Sequence, residues 1–272
     1  MESIQYLNRL CPLCDSQDIS ILAKYSKEPW QMTRCTHCHF VFLKNAPTYD
    51  SSIEHFDWSN TSTQERVKRR TNRKIYYFFS ERLKHIKRAI RKNQRKEHLI
   101  IQKINKTGNF LDIGCGDGNT LRELPCQFIP YGIEISPSFA QKANTFCVGK
   151  GGWVTNADSL SGLDSFGENF FNIVLMRSYL EHEINPLEVL KKVSIVLKPD
   201  GIAIIKVPNF NSISRQIRGL SWPGFRFPDH VNYFTPDTLS TMIEKSGLRI
   251  AKFNAFDHFP TSDNMWLLAS KA

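Results

Sequence analysis

The chain has 272 residues, 41% of them hydrophobic, which is enough for one large domain and a small one beside it. It carries a net charge of +10, has no run of about 18 apolar residues to form a membrane-spanning helix, and opens on MESIQYLNRL, which lacks the pattern of a secretory signal. A cytoplasmic protein without integral membrane association is therefore expected, and its seven cysteines read as metal ligands and free thiols rather than as a disulfide framework.

In chain order, the first feature is Cys11-Pro-Leu-Cys14 followed by Cys35-Thr-His-Cys38. Two such knuckles at this separation match a structural zinc ribbon, over about residues 1–45. Each knuckle turns two thiolates to one side, and Cys11, Cys14, Cys35 and Cys38 together complete a tetrahedron around Zn2+. So small a unit draws its folding energy from the metal, and a closed four-thiolate site leaves no position for chemistry. Residues 46–106 read as a polar linker followed by basic amphipathic helices, with Ile75, Phe78, Phe79, Leu83, Ile86 and Ile90 on one stripe. Residues 64–106 hold 16 Lys and Arg against three Glu, a net +13, so the rest of the chain sums to −3. Such a segment reads as a solvated helix face, a nucleic-acid surface or an anionic membrane surface, and no RNA-binding signature accompanies it.

From residue 107 to 272, short apolar runs alternate with helical stretches. Strands are expected at Phe110–Ile113, Tyr131–Ile135, Phe171–Met176 and Ile202–Val207, with late strands near Leu248–Phe256 and Met265–Ser270. A helix is expected over Pro186–Leu197. The alternation implies an α/β fold with a mostly parallel, Rossmann-like sheet and helices on both faces. Ligands of such sheets sit beyond the carboxyl ends of the strands. There the sequence places Gly114-Cys115-Gly116-Asp117-Gly118, with Asp112 ahead and Glu134 at the end of the next strand. A carboxylate at Glu134 can accept both hydroxyls of a ribose. The glycine spacing differs from the dinucleotide fingerprint, and an acidic loop repels a pyrophosphate. It suits a cationic nucleoside, and S-adenosylmethionine carries both a sulfonium and an ammonium.

These motifs, LDIGCGDG, YGIEIS, NADSL and FNIVLMRSYLEHEINPLEVLKKVSIVLKPDGIAIIKVPN, resemble those of class I S-adenosylmethionine-dependent methyltransferases, in the same order. That resemblance implies a seven-stranded sheet. It puts Asp112, Gly114, Cys115 and Gly116 beside the methionine part of the cofactor, Glu134 and Ile135 at the ribose, Ala157 and Asp158 at the adenine, and Arg177 and Ser178 near the sulfonium. Asn172 stands where the family usually has Asp.

The segment at about 209–235, with Trp222, Phe225, Phe227, Tyr233 and Phe234, is similar to the insertion that roofs the acceptor pocket in bacterial small-molecule and sugar methyltransferases. The run Phe227-Pro228-Asp229-His230-Val231-Asn232-Tyr233-Phe234 is similar to that of deoxysugar C-methyltransferases, which implies His230 as a catalytic base, with Asp229 as its orienting partner and His182 as a second pocket histidine. The expected reaction is methyl transfer to an oxygen or carbon of a small-molecule or sugar-type acceptor. The rival readings are an RNA base methyltransferase, which would use the basic segment, and a non-catalytic zinc scaffold.

Overall fold

A computed structural model of the chain describes residues 5–48, 96–104 and 106–272. The predicted helical stripe at 75–90 and most of the basic segment lie outside the described residues. Two compact units divide the chain: residues 1–49 with 108–272, and residues 50–107. In the second unit the described element is helix α1, Lys96–Ile104.

In the first unit, the amino-terminal segment forms short strands β1 (Tyr6–Asn8), β2 (Ile19–Ile21), β3 (Met32–Cys35), β4 (Val41–Leu43) and β5 (Asn45–Pro47). The larger part runs β6 (Gly108–Ile113), α2 (Asn119–Arg122), β7 (Phe128–Glu134), α3 (Pro137–Val148), β8 (Val154–Asn156), α4 (Ser159–Asp164), β9 (Phe171–Arg177), α5 (Pro186–Val196) and β10 (Leu197–Pro208). It continues through α6 (Ile213–Arg218), β11 (Asn232–Tyr233), α7 (Pro236–Lys245), β12 (Leu248–Lys252) and β13 (Asn264–Lys271).

The main sheet has seven strands in the order β12-β13-β10-β9-β6-β7-β8. Its central pairs are parallel, and β13 lies antiparallel between β10 and β12. The near-continuous apolar runs of β6 and β9 follow from burial on both faces. The chain leaves β6 toward β7 on one side and β9 lies on the other. That is the switch point, where the carboxyl ends of neighbouring strands open a crevice.

Asn172 ties together the opposite edge of the sheet, at the amino-terminal ends of β6 and β9. Its Oδ1 accepts from the Asn109 amide at 3.0 Å and from Lys198 Nζ at 3.1 Å, a cross-strand role that a carboxylate fills equally well.

The second sheet, β11-β4-β3-β2, is antiparallel and discontinuous in sequence. Its edge strand β11 comes from the insertion and pairs with β4, Asn232 opposite Phe42 and Tyr233 opposite Val41. Arg9, itself buried, donates to the carbonyls of Ile184 at 2.7 Å and Val231 at 3.0 Å and to Asn232 Oδ1 at 2.8 Å. Phe40 packs edge-on to Phe234, and a single apolar core runs from Phe40 and Phe42 to Met242 and Leu267. Each such phenyl ring, once buried, contributes about 1.5–3 kcal/mol. Among the described residues no helix is long and apolar enough to cross a membrane.

Candidate active site

The glycine loop leaves β6 and re-enters helix at α2. Gly114, Gly116 and Gly118 all have positive φ, at 69°, 56° and 74°. Their surroundings differ. A Cβ on Gly114 would lie 2.8 Å from the Tyr179 ring, whereas one on Gly116 would meet no atom within 4 Å. Gly116 is thus the open face of the loop, and Gly114 is the close approach of the loop to the segment after β9.

Glu134, at the end of β7, holds this loop. Its Oε2 accepts from the Gly116 amide at 2.8 Å and its Oε1 from the Ser136 amide at 2.9 Å. A carboxylate has about four lone-pair sites, so both oxygens retain capacity for hydroxyls. Asp112 is also buried. Asp117 is paired with Lys142 at 3.2 Å and with Asn119, and Asp112 and Glu134 are the acids whose charge acts on the loop's Cys115. Cys115 reports that field: burial, then the charges of Asp112 and Glu134, push its thiol well above the usual range. A field that resists a thiolate favours a cation.

The remaining residues of the expected cofactor crevice sit at neighbouring strand ends. Asn156 Nδ2 donates to the carbonyls of Glu134 and Ile135, both at 2.9 Å, fixing the turn after β7. Asp158, after Ala157, caps α4, accepting through Oδ1 from the Leu160 and Ser161 amides. Burial works against its charge, yet these bonds hold its carboxyl below the usual range. Arg177 ends β9 and is exposed. Ser178 has φ of 56°, and its Oγ accepts from Lys206 Nζ at 2.6 Å.

Tyr179 joins the two halves of the site. Its ring faces Gly114, and its hydroxyl lies in a trio with Ser159 and Glu183. Just beyond it, Glu181 and His182 meet His230 of the insertion. The two imidazoles stand 4.6 Å apart, edge to face. Asp229 orients His182 and not His230, the partner that the family resemblance implies. Its Oδ1 and its backbone carbonyl lie 3.0 and 2.9 Å from His182 Nδ1, while His230 Nδ1 lies 2.8 Å from the Gly224 carbonyl. The physical reason is the fold-back of the insertion, which brings the Asp229 carboxylate and carbonyl to the same face of His182. All these partners accept only, so each Nδ1 carries the proton and each neutral ring turns its Nε2 lone pair elsewhere.

Electrostatics separates the two rings. For His182 burial opposes the charge, but Asp229 wins and its pKa is raised. For His230 burial and the charge of His182 act together and lower its pKa well below the usual value. Arg226 Nη2 sits 2.5 Å from Asp229 Oδ2; burial resists the Asp229 charge, but His182 and Arg226 keep it ionised. Sequence reasoning missed Glu181 and Tyr179. Adjacency to His182 was the available signal for the first, and none existed for the second.

The four amino-terminal cysteines converge too. Cys11 and Cys38 sulfurs are 3.4 Å apart, and those of Cys14 and Cys35 are 3.6 Å apart. None of these cysteines is in a disulfide. Sulfurs about 2.3 Å from a tetrahedral ion lie about 3.8 Å from each other, so the quartet fits Zn2+. Each knuckle ends on a residue of positive φ, Asp15 at 55° and His39 at 61°, whose amides donate to the Cys11 and Cys35 carbonyls. Backbone amides of Cys38 and His37 bring the Cys35 thiol down to about 7 against its burial.

Comparison with known proteins adds three findings. The family model described as "Methyltransferase domain" matches residues 82–252. Curated relatives from Cereibacter sphaeroides, each named ubiquinone biosynthesis O-methyltransferase, are 31% identical over 153 residues. That match covers 51% of this chain and 59% of the relative, so the chain spans about three fifths of their length. Among solved structures, an S-adenosylmethionine-dependent methyltransferase from Clostridium acetobutylicum is 15% identical, with TM-score 0.54, covering 71% of this chain and 99% of that one. Another from Archaeoglobus fulgidus is 19% identical, with TM-score 0.50, covering 72% and 100%. At these identities the likeness speaks to the fold.

Proposed function

From the premise that the chain belongs to the methyltransferase domain family and is an S-adenosylmethionine-dependent methyltransferase, we propose that it methylates a hydroxyl oxygen of a small-molecule acceptor. The observation that carries this reading is the pair of the half-buried His182 and the buried His230 beside the strand ends, because a hydroxyl nucleophile must shed a proton as it attacks. The name of the curated relatives supports oxygen as the methylated atom.

When bound, S-adenosylmethionine supplies an activated methyl group, so the protein's task is alignment. Asp112, Gly114, Cys115 and Gly116 would border its methionine part. Glu134 and Ile135 would hold the ribose, Glu134 through the lone pairs its two backbone bonds leave over. Ala157 and Asp158 would meet the adenine, and Arg177 and Ser178 the sulfonium side. The acceptor would lie between this crevice and the insertion, and its proton would leave at the histidine pair, with Asp229 stabilising the charge on His182. Zn2+ would sit on Cys11, Cys14, Cys35 and Cys38 as a closed structural ion.

The test is His230→Ala. Calorimetric affinity for S-adenosylmethionine should stay within a few-fold, while turnover falls about 10²–10⁴-fold. Unchanged turnover would remove the proposed role. Methyl label transferred from the cofactor into the RNA fraction of a cell extract, and not into its small metabolites, would overturn the acceptor class.

A further inference from the structure

Glu181 raises a separate question. It is 1% exposed, and its Oε2 makes no hydrogen bond. A buried carboxyl oxygen without a partner is costly while charged, so it either stays protonated, as burial favours here, or is met by a cation. One ligand atom from each of Glu181, His182 and His230 lies within 4.8 Å of the others. Two acids, Glu181 and Asp229, face two cations, Lys206 and Arg226, with Arg226 already paired to Asp229, so the pointer to an ion is the unpartnered Oε2 among the imidazoles rather than an excess of negative charge.

The imidazoles are arranged as metal ligands are. A ligating histidine donates its far N–H to a carboxylate or carbonyl, which fixes the tautomer and turns the other nitrogen to the ion. His182 does this with Asp229, and His230 does it with the Gly224 carbonyl. Two histidines and one carboxylate form the facial set typical of divalent first-row ions, with positions left open for another ligand. Ligands about 2.1 Å from such an ion stand about 3–3.5 Å apart, so the trio must close by up to about 1.5 Å on taking the ion.

We propose that Glu181, His182 through Nε2 and His230 through Nε2 bind a divalent transition-metal ion, distinct from the ion of the cysteine quartet. The proposal rests on the acceptor reading above and moves the proton's route from the imidazoles to solvent, since an open position on this ion would take the acceptor hydroxyl and lower its pKa. The step balances simply. The hydroxyl proton passes to solvent, the oxygen lone pair forms the bond to the methyl carbon, and the carbon–sulfur pair stays on sulfur, which becomes a neutral thioether. Nothing is oxidised or reduced.

The probe is Zn2+ alone, dialysed against the full chain and counted by mass spectrometry. The wild-type chain should take up a second equivalent beyond the one held by the cysteines. Glu181→Gln, nearly the same size, should lose that equivalent while keeping the first, which also reports that the chain is folded. Asp229→Asn keeps all three ligands and should weaken the second ion about 10–100-fold. Uptake of a single equivalent by the wild-type chain, or equal uptake by Glu181→Gln, would overturn the proposal. If His230→Ala still abolishes turnover in that case, the histidines take the proton directly, and only the ion is lost. If the second ion binds but no hydroxyl is methylated, the ion stands and the acceptor reading falls.

Discussion

At the scale of the residue, small groups decide what the crevice can hold. Gly114 has φ of 69° with the Tyr179 ring 2.8 Å from where a Cβ would be. Gly114→Ala should therefore cost about 1–2 kcal/mol in chemical denaturation and weaken S-adenosylmethionine binding, because the loop and Tyr179 must part. Asp158 offers a pH test. Its folded pKa is lowered, so its capping contribution is complete above its unfolded value of about 3.9 and drains away as pH falls through the lower folded one. Asp158→Ala should cost about 1 kcal/mol near neutrality, with the gap to wild type narrowing below about pH 4. Equal gaps at pH 7 and pH 3 would remove the charge from this account. Asp112 and Glu134 stand out in the sequence because expected strand ends and glycines flank them, whereas Asp158 is marked only by the family resemblance. The partner of His182 could not be singled out, since Asp229 is 47 positions away and nothing local announces a contact between two loops.

At the scale of the element, the long apolar runs were legible and the short half-exposed ones were not. β9 and α5 fall within a residue or so of their expected bounds, since buried parallel strands and amphipathic helices have strong periodic signals. β8 was missed because Val154–Asn156 is three residues long and none is buried. α7 is not among the expected elements, although Thr235 followed by Pro236 is a legible helix start, and Thr235 and Thr238 close a capping box around it. The pairing of β11 with β4 had no sequence signature at all. It depends on Arg9, whose buried guanidinium holds the carbonyls of Ile184 and Val231 and the side chain of Asn232. Arg9→Ala strands these acceptors and should destabilise the chain by about 3 kcal/mol. It should also lower turnover, because Val231 and Asn232 follow His230 directly. Full activity in a destabilised variant would show that β11 can shift without moving the histidines.

At the scale of the whole molecule, the cysteine segment and the sheet are one structure. Removing the Zn2+ proposed for the cysteine quartet with a chelator should therefore lower the melting temperature of the entire unit in a single transition, and turnover should fall with it. Two separated transitions in calorimetry would show that the ribbon melts alone. The shared sheet also bears on how the chain is made. The cysteine strands leave the ribosome first, but the strand that closes their sheet is β11, which arrives only after the central strands of the large domain. Until then the edge of β4 stays unpaired, and contacts this distant in sequence form slowly. A nascent chain halted before residue 232 should thus expose a sticky β edge to chaperones, and the amino-terminal segment cannot be transplanted onto another protein as a finished module.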